Sequence, residues 1–172
     1  MELVDLYDEE RRPLGRTAPR FSKREKGQWR LIAHLCIFDS RGRLLLQKRS
    51  AGKRVWPGKW DVSAAGGVAA GETTREAAAR ELEEELGLSA QAPHLRSVCT
   101  VTFNHAFDDY FILKRDVDLR NLRLQEEEVS AVRWATRQQV LDLIRKDEFV
   151  PYSENFLGYL FDMARNMDFQ NK

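Results

Sequence analysis

The most constraining feature of the sequence is a helix that concentrates acidic residues at its C-terminal end. The pattern from Thr73 to Leu86 predicts this helix, and Gly87 is a typical residue to end it. At about 100° per residue, three carboxylates share one stripe of the helix: Glu81, Glu84 and Glu85. Like charges one turn apart repel, and the helix dipole disfavours negative charge at this end. A segment that breaks two stability rules at once indicates a functional site.

A bound divalent cation would remove the repulsion between these acids. Mg²⁺ prefers oxygen ligands and is commonly held by carboxylates together with substrate phosphates. The alternative is a solvated charged face on which Arg75 and Arg80 screen the acids, the ordinary interpretation of an acid-rich helix taken alone. A second stripe of the helix is apolar and predicts packing on a sheet: Ala78, Leu82 and Leu86.

The residues around the helix favour the metal site. Gly66 is followed by five residues, Glu72, seven more residues, and then Arg-Glu-Leu-Glu-Glu-Glu-Leu-Gly-Leu from Arg80 to Leu88. Residues 66–88 resemble, at every fixed position, the signature of the Nudix family, which is called the Nudix box. The resemblance implies an α/β fold, namely an α/β/α sandwich with a mixed sheet, a loop-helix-loop catalytic motif and a small N-terminal hairpin.

The same resemblance implies a function. It implies divalent-metal-dependent hydrolysis of the pyrophosphate linkage in a nucleoside diphosphate joined to another group, with Mg²⁺, or else Mn²⁺, as the cofactor. By this resemblance Glu81, Glu84 and Glu85 are the metal-binding and catalytic acids. Glu72 and Arg80 are implied to hold the loop and the helix together as a charge pair. A pyrophosphate carries several negative charges, which a metal cluster can neutralise while it activates water.

A wider resemblance extends upstream of the box. Residues 44–50 and 53–66, with the hairpin around residues 4–7, resemble the branch that contains type 1 isopentenyl-diphosphate isomerase, so that roughly residues 3–150 are covered. That chemistry needs a cysteine just before the first box glycine and nearby metal-binding histidines. Ala65, Gly67 and Arg30 stand at the matching positions. Hydrolysis is therefore the leading hypothesis and isomerisation the alternative; a non-catalytic nucleotide-binding regulator is a third, although no residue of the box is broken.

Several residues outside the box are further candidates. Basic residues between a strand end and the box predict phosphate contacts, although a solvated basic loop is an equally good interpretation, and a tryptophan there offers a surface for a base to stack on. This substrate-binding set is Lys48, Arg49, Lys53, Lys59 and Trp60. Candidates for an additional metal ligand or general base are Glu126, Glu127 and Glu128, with Asp108 and Asp109 next. His34 is expected in the core or a pocket wall, and His105 near the substrate.

The remaining pattern predicts a mixed sheet with helices on both faces. Predicted strands cover residues 3–7, 14–17, 29–38, 43–49, 61–65, 96–106, 110–117 and 129–134, and predicted helices cover 136–146 and 153–167. A turn is predicted at Asp108–Asp109. Residues 1–27 are predicted to form the hairpin and a lead-in, and the 172 residues to form a single domain.

Composition excludes several functional classes. The chain has 28 basic and 27 acidic residues, a formal charge of +1, which argues against a dedicated nucleic-acid binder. The longest apolar run, residues 31–38, contains His34 and is too short to span a membrane. The acidic N-terminus lacks a signal-peptide core, so a cytoplasmic location is expected. Two cysteines cannot form a disulfide framework. The expected partner is a small-molecule diphosphate, and the chain is expected to be a monomer or a homodimer.

Overall fold

The computed structural model describes residues 2–167, so the ends of the expected domain lie outside the described residues. Its helices are α1 (Thr74–Leu86), α2 (Arg137–Arg145) and α3 (Glu154–Asn166). Its strands are β1 (Leu3–Tyr7), β2 (Pro13–Pro19), β3 (Arg30–Phe38), β4 (Leu44–Arg49), β5 (Trp60–Asp61), β6 (Ala64–Gly67), β7 (Ser97–Phe103), β8 (Ala106–Lys114) and β9 (Val129–Ala135).

The main sheet is built around β3. This strand pairs in parallel with β8 and antiparallel with β6, and the strand order along the sheet is β5-β4-β3-β8-β7. Strand β9 pairs with β4. The sheet is therefore mixed, as predicted.

Both faces of the sheet carry a hydrophobic core, because successive residues of a strand point to opposite faces. Leu31, Leu35 and Ile37 of β3 pack in one core with Leu82 and Leu86 of α1. The alternate residues of the strand pack in a second core with the two C-terminal helices, and that core includes Cys36, Phe38, Val140 and Leu157. The predicted three-layer α/β/α arrangement is confirmed.

Strands β1 and β2 form the predicted N-terminal hairpin, a separate two-stranded sheet that is tied to the rest of the fold. The Ala70 and Gly71 amides, in the loop before α1, donate to the Leu3 carbonyl at 2.9 Å and to the Asp5 carboxylate at 2.7 Å. Arg11 donates two hydrogen bonds, 2.8 and 2.5 Å long, to the buried Asp109 carboxylate of β8. Burial alone would raise the pKa of Asp109, but its hydrogen bonds, above all those from Arg11, lower it below its usual range.

The predicted turn at Asp108–Asp109 is wrong. The turn lies at Asn104 and His105, whose φ angles are +48° and +59°, a left-handed conformation that asparagine tolerates better than most residues. Strand β8 consequently begins at Ala106 and contains both aspartates. Asp109 is stabilised inside a strand by Thr100 of the paired strand β7 and by Arg11, which is distant in sequence and which local turn preferences do not consider.

Neither a membrane-spanning helix nor a disulfide is found in the described residues. Between residues 2 and 167, no helix has the length and apolar character to cross a membrane. Cys36 is a free thiol buried in the second core, and Cys99 is a half-buried free thiol.

Candidate active site

Two caps define where the acid-rich helix α1 begins and ends. At its start, the Glu76 amide donates to the Thr73 hydroxyl at 3.3 Å, and the Thr73 amide donates back to the Glu76 carboxylate at 2.9 Å. At its end, Gly87 adopts a φ of +66° and its amide donates to the Glu83 carbonyl. The apolar stripe of the helix packs on the sheet, so Glu81 and Glu85 beside it are buried while Glu84 is exposed.

Glu81 lies directly against the first glycine of the Nudix box. A Cβ atom added to Gly66 would meet the Glu81 carboxyl carbon at 2.0 Å, so only glycine leaves room for this carboxylate. Glu81 is 7% exposed. Burial raises its pKa above the usual value, although the hydrogen bond from Arg80 opposes the shift.

Glu85 is the more deeply buried of the two inward-facing acids. Its carboxylate accepts hydrogen bonds from the Gln47 side chain at 2.9 Å and from the Ala65 amide at 3.2 Å. Burial, assisted by the neighbouring charge of Glu81, raises the pKa of Glu85 to about 8. The sequence analysis did not single out Gln47, because the apolar pattern of β4 does not show which of its polar residues faces α1.

Arg80 connects the carboxylates of the box. It donates two hydrogen bonds of 2.9 Å to Glu72, one of 2.8 Å to Glu81 and one of 3.1 Å to Glu84. A further bond of 3.0 Å reaches the Gly67 carbonyl. The structure thus forms the charge pair between Glu72 and Arg80. These bonds, led by those to Glu72, raise the pKa of Arg80, so the guanidinium stays charged.

The donor set suits a hard divalent cation. Glu81 and Glu85 offer two buried carboxylates side by side, and Glu84 adds a third at the surface, half exposed. Carboxylate oxygens are the ligands that Mg²⁺ and Mn²⁺ accept. In the described part of the chain, no three His, Cys, Asp or Glu side chains are drawn together as a preformed metal site. The observation that supports a cation is the burial of the Glu81 and Glu85 carboxylates near each other, because buried like charges favour a counter-ion.

Arg49, the last residue of β4, and Lys53, in the loop that follows it, lie near these acids. Lys53 is close enough to Glu85 and Glu81 for their charges to act on it, and it forms an ion pair with Glu128. Burial and the positive charge of Arg49 lower the pKa of Lys53. Arg49 braces the loop, because it donates to the Asp61 carboxylate at 3.2 Å and to a loop carbonyl at 3.0 Å.

The other three predicted substrate-binding residues make different contacts. Lys48 follows Gln47 in β4 and so points to the opposite face of the sheet, where its ammonium group lies 5.9 Å from the centre of the Trp60 ring. The Arg133 guanidinium lies 4.5 Å from the same ring. Lys59 donates to the side chain and the carbonyl of Asp147. Their role in substrate binding stays a prediction.

The remaining acidic candidates are distributed among several environments. Glu128 pairs with Lys53, and the Glu127 carbonyl accepts a hydrogen bond from Ser50, which holds this segment against the same loop. Asp109 is engaged with Arg11, whereas Asp108 lies on the other face of β8 beside His34. His105 lies in the turn before β8, with its ring 5.5 Å from that of Trp29.

Arg20 is a residue near the site that the sequence analysis missed. A Cβ atom added to Gly67 would lie 3.0 Å from the Arg20 guanidinium, so this side chain covers the second glycine of the box. Its positive charge acts on both Glu81 and Lys53. The Arg30 guanidinium donates a hydrogen bond of 3.1 Å to the Arg20 carbonyl. The sequence around Arg20 is basic and irregular, and the contact depends on how the N-terminal hairpin docks, which no local pattern shows.

A mixed sheet with helices on both faces, and an acid-rich helix whose buried carboxylates lie against β6, define a class of α/β domain. The chain belongs to the Nudix family, because the NUDIX domain matches residues 28–157. The family predicted from the residue pattern is therefore confirmed.

Individual relatives agree with this assignment. An uncharacterized Nudix hydrolase of Listeria innocua is 42% identical over 163 residues, which cover 95% of each chain. An isopentenyl-diphosphate Delta-isomerase of Streptomyces avermitilis is 31% identical over 170 residues, which cover 95% of this chain and 83% of the isomerase. The crystal structure of a Deinococcus radiodurans protein superposes with a TM-score of 0.74 at 24% identity, over 95% of this chain and 98% of that one, and shows the shared fold.

The fit between Gly66 and Glu81 leads to a first prediction. In Gly66→Ala the new methyl group displaces the Glu81 carboxylate, and we expect hydrolytic activity to fall by about a hundredfold, as is common when a reacting group moves by roughly 1 Å. Steady-state kinetics on the purified variant test this. Gly52→Ala is the matched control, because a Cβ atom there meets only Ser50 at an ordinary 3.8 Å. Equal activity in the two variants would contradict the role given to this contact.

Proposed function

We propose that the chain is a single catalytic domain that hydrolyses the pyrophosphate linkage of a small-molecule diphosphate with the help of Mg²⁺ or Mn²⁺. The observation that carries the proposal is the pair of buried carboxylates, Glu81 and Glu85, facing the cationic side chains of Lys53 and Arg20. The carboxylates that would bind a metal ion therefore lie close to the positively charged side chains that would bind phosphate oxygens. Hydrolysis of a charged anhydride requires both kinds of group.

Each residue has a separate task in this proposal. Glu81, Glu84 and Glu85 would hold the divalent ion, which when bound supplies charge neutralisation at the phosphate and activation of water. Lys53 and Arg20 bind phosphate oxygens and orient the substrate. Arg80 keeps Glu81 and Glu84 in place and, through Glu72, fixes the loop against the helix. Gln47 and the Ala65 amide hold the Glu85 carboxylate in one orientation.

Divalent-metal binding can be tested independently of the substrate. Because a cation relieves the repulsion between buried carboxylates, we expect millimolar Mg²⁺ to raise the melting temperature above its value in EDTA. A phosphate-release screen over nucleotides and other diphosphates, with Mg²⁺ and Mn²⁺, then tests hydrolysis. Identical melting curves with and without metal, together with no hydrolysis, would overturn the proposal. A metal-dependent shift without any turnover would favour a nucleotide-binding regulator.

The similarity to isopentenyl-diphosphate isomerases makes isomerisation the second candidate. The matching cysteine position is Ala65, whose amide supports Glu85 but whose methyl side chain has no proton to exchange. Gly67 and Arg30 likewise leave the expected histidine positions without an imidazole. We therefore expect no dimethylallyl isomer when isopentenyl diphosphate is incubated with the protein and Mg²⁺. Isomer detected by NMR above a no-enzyme control would reverse this order of the two functions.

A further inference from the structure

Three arginines lie together where the N-terminal hairpin leads into β3. Arg24 Nη2 and Arg30 Nη1 both donate to the Arg20 carbonyl, and each hydrogen bond is 3.1 Å long. Because the two guanidinium nitrogens share one acceptor oxygen, they lie within about 6 Å of each other. The Arg20 side chain extends from the same place to Gly67. Three positive charges therefore occupy a small region beside β6.

The positive charge of this arginine cluster is only partly neutralised. Arg20 forms an ion pair of 2.8 Å with Glu2. In the described part of the chain, Arg24 and Arg30 have no carboxylate at ion-pair distance, and Asp108 acts on Arg30 only from further away. Burial, followed by the positive charges of Arg24 and Arg20, lowers the pKa of Arg30. An arginine side chain nevertheless stays charged in a protein, so the repulsion within the cluster remains.

The cluster also keeps unused hydrogen-bond donors. A guanidinium carries five N–H groups, and Arg30 uses one of them in its bond to the Arg20 carbonyl. Arg24 Nε is buried and has no hydrogen-bond partner among the residues that the structure describes. Leaving a buried donor of a charged group unsatisfied is unfavourable. A negatively charged group with several oxygens would satisfy these donors and neutralise the charge.

The cluster lies at the surface, where a ligand can reach it. Arg20, Arg24 and Arg30 are half-buried, and the neighbouring Phe21 is 55% exposed. The Phe21 ring lies between two guanidinium groups, with Arg20 5.3 Å and Arg54 5.2 Å from its centre. Arg54 belongs to the loop after β4, so a second segment of the chain adds positive charge beside the cluster.

We propose that Arg24 and Arg30, next to Arg20, form a binding site for a phosphate group, separate from the carboxylates that would hold the metal ion. A phosphate group carries nearly two negative charges at neutral pH and several strong acceptor oxygens. It can therefore neutralise two arginines at once and accept paired hydrogen bonds from their planar guanidinium groups. The inference goes beyond the proposed function, which uses Arg20 but neither Arg24 nor Arg30.

The phosphate group has two possible sources. It is either a further phosphoryl group of a substrate held at the proposed active site or free inorganic phosphate. The positive charge of Arg20 acts on Glu81 and Lys53, so the cluster lies close enough to the proposed active site for the first source. The binding chemistry is the same for both, and kinetics distinguish them below.

Phosphate binding is tested by isothermal titration calorimetry of the full chain with inorganic phosphate in EDTA, where no metal ion can hold the anion. We expect Arg30→Gln to weaken phosphate binding about tenfold or more, because it removes one of the charged donors. The matched control is Arg16→Gln, which makes the same change of charge at an exposed residue of β2. No binding to the parent protein, or an equal loss in both variants, overturns the proposal.

Melting curves without phosphate separate a binding role from a structural one. Removing one of two repelling charges should leave the melting temperature of Arg30→Gln unchanged or higher. A lower melting temperature with full phosphate affinity would show that Arg30 serves only the fold, and would overturn the site. Arg30→Lys keeps the charge without the planar fork, so it should recover part of the phosphate affinity. An affinity no better than that of Arg30→Gln would also contradict the proposal.

Kinetics identify the source of the phosphate group on nucleotides that the protein hydrolyses. If the site binds a further phosphoryl group, Arg30→Gln should raise KM roughly tenfold for a nucleoside triphosphate but not for the corresponding diphosphate. If it binds free phosphate, both KM values stay unchanged and inhibition by inorganic phosphate weakens. No change in KM or in inhibition overturns the site.

The calorimetric test does not depend on the proposed function. Phosphate binding that Arg30→Gln weakens, in a protein that hydrolyses nothing, supports the site and rejects the hydrolase. Hydrolysis by a protein that does not bind inorganic phosphate in EDTA does the reverse.

Discussion

Replacing Glu85 with glutamine is expected to abolish hydrolysis while the metal-free protein remains folded. Glutamine has nearly the same size and helix propensity, and its side-chain oxygen can still accept from the Ala65 amide. The amide is a much weaker ligand for a hard cation than a carboxylate. Losing one ligand should cost several kcal/mol of transition-state stabilisation, which is roughly a hundredfold or more in rate.

The same substitution has an expected signature in the pH dependence of stability. Burial raises the pKa of Glu85 in the folded protein to about 8, whereas its ordinary value is 4.5. The protonated carboxyl therefore stabilises the folded state fully below about pH 4.5, and this contribution is lost as the pH rises through about 8. In EDTA, the free energy of unfolding of the parent protein should fall between these values, and that of Glu85→Gln should fall less.

Activity assays and denaturant melts over pH measure both effects. Glu83→Gln is the matched control, because Glu83 is an exposed residue of the same helix outside the acid stripe. Normal activity in Glu85→Gln would remove this residue from the catalytic group. Lost activity accompanied by a large fall in metal-free stability would show instead that Glu85 serves the fold.

Replacing Arg80 with alanine is expected to have the largest effect on stability. The substitution removes the hydrogen bonds to Glu72, Glu81 and Glu84 and leaves partly buried carboxylates without a counter-charge. Breaking a buried ion pair by removing one partner costs about 3 kcal/mol. For a chain of this length this amounts to a fall in melting temperature of about 10 °C.

Arg80→Lys distinguishes charge from geometry at this position. Lysine keeps the positive charge but cannot form the paired bonds to Glu72, so an intermediate loss is expected. Arg75→Ala, on the first turn of the same helix, is the matched control. Calorimetry on the three variants measures the effect, and an Arg80→Ala protein that melts with the parent would show that the network contributes nothing to stability.

Helical periodicity explains why much of the site could be predicted from sequence. The spacing of Glu81, Glu84 and Glu85 and the terminal residue Gly87 fix their placement on α1, since side-chain direction in a capped helix follows from residue number. The extent of burial was not predictable. Glu84 is half exposed and Glu85 almost inaccessible, because the facing surface comes from β4 and β6, which are distant in sequence.

Strand residues were harder to place than helical ones. Gln47 and Lys48 are adjacent polar residues at the end of β4, and only the strand's pairing shows that Gln47 faces Glu85 while Lys48 faces Trp60. A shift of one residue would exchange them. The turn placed at Asp108–Asp109 failed for a related reason, because Arg11 satisfies Asp109 from the N-terminal hairpin.

The docking of that hairpin also shows that the region matched by the family and the region that packs as one unit have different boundaries. The NUDIX match begins at residue 28, yet Arg11 neutralises a buried carboxylate inside the match and Arg20 covers Gly67. A fragment that begins at residue 28 would leave Asp109 without its counter-charge from Arg11, and the Ala70 and Gly71 amides without their acceptors. Expression boundaries for this chain are therefore better set by its ion pairs than by its similarity to relatives.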